Sequence, residues 1–317
     1  MNYPQLAAFT GGAGLIRVIG HRGARGVMPE NTMEGFAFTL NCGVRLLEFD
    51  VVMTRDGVPV ITHNHSLTGS IVRDGAGNWL QGVEPRVSDL DWADLTVMDV
   101  GGLDGRSDYG QRFPDQAFLY GARIPRLSDL CELIAQPGYG DVHLMLEIKS
   151  DPAKLKDATA RAKVVSAVVA EVRALGLTTR TLMHSFDWDL LAECTRQAPE
   201  MPTSFLTQLP ENAADIGEDH AAASLELTKA GTSAPDLVAQ AGGALWCPYY
   251  LDVTVDQVAR AQELGLRVAV WTVNEVADID RMIGLGVDAI VTDYPGRVQR
   301  RLLAQGHVWT EETAIAV

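Results

Sequence analysis

Short apolar runs that read as strands alternate with helix-like runs along almost the whole chain. The strand-like runs are Arg17–Gly20, Leu46–Val52, Val142–Ile148, Thr181–His184, Thr203–Leu206, Ala244–Cys247, Arg267–Trp271 and Ala289–Val291. Runs this short and apolar suit parallel strands covered on both faces. The helix-like segments span Thr32–Cys42, Leu127–Ala135, Asp157–Leu175, Asp189–Gln197, Pro235–Ala241, Val255–Leu264, Val276–Leu285 and Gly296–Ala304. Asn31 is placed to cap the first, with Glu34 three residues on in capping-box position. Eight strands with helices between them predict a (β/α)8 barrel in a single domain, residues 15–305. A doubly wound open sheet is the alternative. No Gly-x-Gly-x-x-Gly follows the first strand, which counts against a dinucleotide fold.

One segment, residues 66–126, breaks the alternation. It is rich in Gly and Asp and lacks periodicity. It reads as an insertion after the second strand, folded over the barrel mouth as a lid or specificity segment. A peripheral excursion that never touches the site is the other reading.

The 317 residues are 47% hydrophobic and 21% charged, which suits a globular chain with a full core. A net charge of −15 argues against a general nucleic-acid or anionic-membrane surface. It does not exclude a small anionic substrate, because a metal and one arginine reverse the local sign. Cys42, Cys131, Cys194 and Cys247 are widely spaced, as reduced and mostly buried thiols would be. Residues 1–14 make a poor signal peptide, and no apolar run is long enough for a membrane span. These features predict a soluble, cytoplasmic protein with a small-molecule partner, no nucleic acid and no stable membrane anchor. The oligomeric state stays open.

The residues that can do chemistry gather at strand ends. His21 and Arg22 close the first strand, where Gly23 and Gly26 let the backbone turn tightly. Glu48 and Asp50 lie two apart on the second strand, so they face one way. Buried together without a partner they would repel, and a bound Mg2+ or Ca2+ removes that cost. His63 follows the turn Asp56-Gly57 and the apolar stretch Val58–Ile61. His65 has the same parity as His63, but carboxylate-rich surroundings suit a harder ion than zinc. Glu147 and Lys149 share a side at the end of the third strand, either as a simple salt bridge or as a third metal carboxylate with a phosphate-facing lysine. Trp271 ends a later strand and can wall the pocket, while His184 reads as structural. Ser185 lacks the setting of a hydrolase nucleophile. Imidazoles move protons near neutral pH, carboxylates hold a hard cation, and an arginine binds phosphate through two hydrogen bonds. Together these parts suit metal-assisted cleavage of a phosphate ester.

On these residues the chain resembles the glycerophosphodiester phosphodiesterases. The ordered motifs are His21-Arg22-Gly23, Pro29–Thr32, Glu48-Phe49-Asp50, His63 with Leu67, and Glu147-Ile148-Lys149. The Trp271–Asn274 and Thr292–Pro295 segments follow in order, so the likeness covers Arg17 to Arg300. One departure is Asn64, where the family usually has Asp. The resemblance implies a TIM barrel with a divalent metal, Mg2+ or Ca2+, on Glu48, Asp50 and Glu147. It also implies His21 and His63 as the acid–base pair, Arg22 on the phosphate and Lys149 adding positive charge nearby. The expected reaction is hydrolysis of glycerophosphodiesters to sn-glycerol 3-phosphate and an alcohol. A lysophospholipase D or cyclising phospholipase is the nearest rival, with Trp79, Trp92, Phe113, Phe118 and Tyr120 as an apolar approach. A non-catalytic phosphate-binding barrel is the reading from a different class.

Overall fold

A computed structural model describes residues 3–151, 157–209, 212 and 232–311. Among them the strands are β1 (Arg17–His21), β2 (Leu46–Met53), β3 (Pro59–Ile61), β4 (His143–Ile148), β5 (Thr181–Ser185), β6 (Thr203–Thr207), β7 (Leu245–Pro248), β8 (Arg267–Val270) and β9 (Ala289–Thr292). All except β3 run parallel, and β1 pairs with β2 on one side and β9 on the other. The sheet therefore closes on itself, which excludes the open doubly wound alternative. This is an eight-stranded parallel barrel with helices between its strands, a TIM barrel. All eight strand-like runs form barrel strands.

The ninth strand was not expected. Gly57 takes φ +85° in the turn after β2, and β3 folds back antiparallel on β2 with Val60 opposite Val52. The apolar stretch Val58–Ile61 is thus a strand and not a bare connection, because the reversal lays it along the end of β2.

Strand parity places the core and the site together. Alternate residues share a face, and Ile19, Leu46, Met145, Leu182, Leu245 and Ala289 fill the barrel interior with Phe9. Their neighbours Val18, Leu47, Leu144, Met183, Trp246 and Ile290 pack outward against the helices. The inward register continues towards the C-terminal strand ends, where it delivers His21, Glu48, Asp50, Glu147 and His184. Phe9 seals the other end, with its ring 6.3 Å from His143 at the start of β4. The same fold buries Cys131, Cys194 and Cys247, and Cys42 is half-buried.

The first helix, α1 (Met33–Asn41), starts one residue later than expected. Its cap is Thr32, whose Oγ1 accepts the Gly35 amide at 3.1 Å. Asn31 sits at φ +55°, a conformation its side chain tolerates, and donates from Nδ2 to Asp50 Oδ2 at 2.9 Å. The capping box predicted on Asn31 and Glu34 therefore does not form, because Asn31 serves the site instead.

Residues 66–126 follow β3 and pack a small core of their own on the β2–β3 ribbon, including Val52, Val60, Leu67, Val87 and Ile124. Its buried cation, Arg73, donates to Asp99 Oδ1 at 2.9 Å and Leu119 O at 2.7 Å. No described helix is long and apolar enough to cross a membrane.

Gly20 shows how tightly β1 is held. A Cβ there would lie 2.2 Å from Gly23 O and 2.6 Å from Thr39 Cγ2. Gly20→Ala should lower stability by about 1–3 kcal/mol through overpacking, read as a lower thermal midpoint. An unchanged midpoint would mean that the turn after β1 shifts at no cost.

Candidate active site

Three carboxylates meet at the C-terminal end of the barrel. Glu48 and Asp50 come from β2 and Glu147 from β4, with Asp50 directly opposite Glu147 in the strand register. Each is buried, and one oxygen from each lies within 4.8 Å of the others. Burial, then the charges of Asp50 and Glu147, push the Glu48 carboxyl well above its usual range. Burial pushes Asp50 up too, but Lys149, His63 and Arg22 outweigh it and hold Asp50 well below. Lys149 Nζ stands 3.1 Å from Asp50 Oδ1 and 2.9 Å from Glu147 Oε1. The lysine therefore belongs to the acidic cluster, and the salt bridge of Glu147 with Lys149 forms. The cluster fits a hard divalent cation: all its donors are oxygen, they converge, and Glu48 carries the repulsion that a cation would relieve. Glu48, Asp50 and Glu147 can hold a divalent metal.

Arg22 bends around this cluster. It takes φ +50° and Gly23 takes φ +85°, so the chain turns sharply where β1 ends. The Arg22 amide donates to Glu48 Oε2 at 3.1 Å, and its Nη1 donates to Glu30 Oε1 at 2.8 Å. Its Nε lies 3.2 Å from Asp50 Oδ2.

His21 faces Glu48 in the register, with Nε2 3.8 Å from Glu48 Oε2. Its Nδ1 lies 2.6 Å from Asp293 Oδ1. Burial raises the Asp293 carboxyl, but Arg25 and His21 outweigh that and hold it far below its usual range. Asp293 is therefore an acceptor and His21 Nδ1 carries the hydrogen. Burial, then Arg25, pulls the His21 imidazole down to about 4 against the pull of Asp293. Arg25 grips both Asp293 oxygens at 2.9 and 3.1 Å, and Asn274 Nδ2 donates to Asp293 Oδ2 at 2.7 Å.

His63 enters from the chain after β3, and its Nδ1 lies 2.8 Å from Asn64 Oδ1. The two histidines are thus backed differently, one by a carboxylate and one by a neutral amide. His65 points away, with Nε2 3.0 Å from Ser150 O, so His63 and His65 do not share a site. His184 lines the same pocket as His21 and His63, its Nδ1 2.8 Å from Ser204 Oγ. Burial, then Lys149, pulls it down to about 3. Ser185 Oγ is spent on Ile148 O at 2.9 Å. Trp271 forms part of the wall, with Nε1 donating to Cys247 O at 3.1 Å, so only its ring face and edge are offered.

The pocket is lined by His21, Arg22, Glu48, His63, Glu147 and Lys149, with Phe186, Leu206 and Trp271 as its apolar side. Arg112 of the insertion also lines it, so that segment does reach the site. Trp79, Trp92, Phe113, Phe118 and Tyr120 are not among the lining residues. Trp79, Phe118 and Tyr120 surround Arg73 at 4.3–5.3 Å, Trp92 faces Arg126, and Phe113 faces Arg25.

The residues picked from the sequence, His21, Arg22, Glu48, Asp50, His63, Glu147, Lys149 and Trp271, all come to one place. Reading the sequence assigned no role to Asp293, Arg25, Glu30 or Tyr109, although Glu30 and Asp293 lie in the quoted Pro29–Thr32 and Thr292–Pro295 motifs. Asp293 was within reach, because it continues the inward parity of Ala289 and Val291. Arg25 and Glu30 lie in the irregular chain between β1 and α1, where no periodicity points to a side. Chemically, the site offers paired imidazoles for proton transfer, cations for a phosphate and an acidic cluster for a metal.

The chain matches the model of the glycerophosphoryl diester phosphodiesterase family over residues 21–297. A crystal structure of a candidate glycerophosphoryl diester phosphodiesterase from Silicibacter pomeroyi is 57% identical, with a TM-score of 0.91, over 98% of this chain and 100% of that one. A glycerophosphodiester phosphodiesterase of Caldanaerobacter subterraneus is 25% identical over 88% of this chain and 94% of its own. An Oleispira antarctica phosphodiesterase, solved with its product sn-glycerol-3-phosphate, is 22% identical with a TM-score of 0.66, over 91% of this chain and 97% of that one. At that identity the likeness speaks for the fold alone. With the family model spanning the strand ends that build the site, this chain belongs to the glycerophosphoryl diester phosphodiesterase family.

Proposed function

We propose that the protein hydrolyses glycerophosphodiesters to sn-glycerol 3-phosphate and an alcohol, with His21 and His63 as the acid–base pair. The observation that carries this reading is the convergence of both imidazoles, Arg22, Lys149, Glu48 and Glu147 on one pocket, with Asp50 in the same acidic cluster. Membership of the glycerophosphoryl diester phosphodiesterase family supports it. A binding-only barrel would have no use for two buried imidazoles beside that cluster. The apolar approach expected for a lipid substrate finds no support in the pocket lining, so the small glycerophosphodiester is preferred. Residues 15–305 act as one domain, with 66–126 as its lid or specificity segment.

Glu48, Asp50 and Glu147 hold the metal, and their oxygen donors favour Mg2+ or Ca2+ over a softer ion. When bound, the ion neutralises charge on the phosphoryl oxygens. Arg22 orients the phosphate through its guanidinium, and Lys149 keeps Asp50 ionised while adding positive charge. Trp271 walls the pocket beside the substrate.

One imidazole takes the proton of the glycerol hydroxyl next to the phosphate. That oxygen bonds to phosphorus as the bond to the alcohol breaks, and the other imidazole gives its proton to the departing oxygen. The result is a free alcohol and a cyclic glycerophosphate. Water then opens the ring, with the histidines exchanging roles. Asp293 fixes the His21 ring and keeps its hydrogen on Nδ1, and Asn64 does the same for His63.

The direct test is release of glycerol 3-phosphate from glycerophosphocholine by metal-stripped protein, with Mg2+, Ca2+ or no ion restored. Metal-dependent release is expected, and no release with either ion would overturn the assignment. His21→Ala and His63→Ala should each lower kcat by about 10²–10⁴-fold; near-native turnover in both would remove them from the reaction. Either ion should raise the thermal midpoint of the wild type, since a ligand of the native state stabilises it. Glu48→Gln should blunt that rise, and an undiminished rise would place the metal elsewhere. Asn64→Asp puts a negative charge against His63, which raises its proton affinity. The limb of the pH–kcat/KM profile that reports His63 should therefore move to higher pH, and an unmoved profile would mean that the ring is not titrating in the reaction.

A further inference from the structure

The turn after β1 carries two braces. Arg22 is held by Glu30 at 2.8 Å, and His21 is held by Asp293, itself clamped by Arg25. These braces meet at one atom, and that atom belongs to the insertion. The Tyr109 hydroxyl donates to Glu30 Oε2 at 2.5 Å and accepts from Arg25 Nη1 at 3.2 Å. A phenol can do both at once. Burial, then Glu30, pushes the Tyr109 hydroxyl up, so it stays protonated and remains a donor.

We propose that Tyr109 is a positioning residue that ties the phosphate-binding arm, Glu30–Arg22, to the proton-transfer arm, Arg25–Asp293–His21. Three further contacts keep it in place. Gln116 Nε2 donates to Arg25 O at 2.7 Å, the Ala117 amide donates to Val27 O at 2.9 Å, and the Phe113 ring lies 4.6 Å from the Arg25 guanidinium. The stretch 109–117 is thus built onto the turn that presents His21 and Arg22. Removing the hydroxyl leaves Glu30 and Arg25 each one partner short, and loosens both arms at the ends away from Arg22 and His21. The proposal rests on the hydrolytic reading above and adds that the insertion is part of the catalytic apparatus.

The test compares the wild type with Tyr109→Phe, Glu30→Gln and the double variant on glycerophosphocholine with metal present. Tyr109→Phe keeps the ring packed against Phe113, 5.5 Å away between centroids, so its fold and thermal midpoint should stay close to native. Its kcat/KM should fall about 10- to 100-fold, the worth of hydrogen bonds to charged groups. Loosening of Arg22 should appear as a higher KM and loosening of His21 as a lower kcat. Both should move. In the Glu30→Gln background the same substitution should cost much less, because the two act through one brace. Native kcat/KM in Tyr109→Phe, or full additivity with Glu30→Gln, overturns the proposal while leaving the hydrolytic reading intact. An inactive wild type overturns that reading instead. Should Tyr109→Phe lose its fold, Glu30→Gln alone carries the test: it must raise KM, and a native KM there refutes the link.

Discussion

Three acids held out of water against one another set the terms for everything at the barrel mouth. Glu48, Asp50 and Glu147 face inward from adjacent strands, and like charges this close cannot all ionise unaided. Lys149 and Arg22 settle Asp50. Glu48 stays the unsettled member, pushed up by burial and by both neighbours. A divalent cation held by the three acids would relieve that repulsion. The surrounding cations, the sharp turn at Arg22 and the side chain of Asn31 are all arranged to hold this cluster.

A second layer decides what the imidazoles can do. The His21 ring is held by Asp293, which fixes which nitrogen carries the hydrogen. Asp293 in turn is kept ionised by Arg25 at both oxygens and oriented by Asn274. The Nδ1 of His63 faces the neighbouring Asn64 amide instead. The Nδ1 atoms of the two rings therefore meet different groups, a carboxylate just after β9 for His21 and an amide on the chain after β3 for His63.

Much of this was legible in the residues. Eight apolar runs with helical segments between them match the eight barrel strands, because a strand covered on both faces needs continuous apolar sequence. The inward parity of Glu48 with Asp50, and of Glu147 with Lys149, follows from a strand repeat of two. One local reading failed: Asn31 reads as a helix cap, but its side chain is claimed by Asp50, 19 positions on. The aromatic residues of the insertion read as an apolar approach; rings of this group lie against Arg73, Arg25 and Arg126, and Phe118 and Tyr120 stay exposed.

By itself the sequence determined the class of barrel, the strand ends that carry chemistry and the residue types available there. Periodicity is a local property and survives without coordinates. Only the tertiary structure decided which of those residues touch. Asp293 reaches His21 because β9 closes the barrel against β1, and Tyr109 reaches Glu30 and Arg25 because the insertion folds back over the same turn. Those contacts join residues 79 to 272 positions apart in the chain. Ring closure and the path of an aperiodic segment leave no repeat in the sequence, so nothing short of the folded chain reveals them.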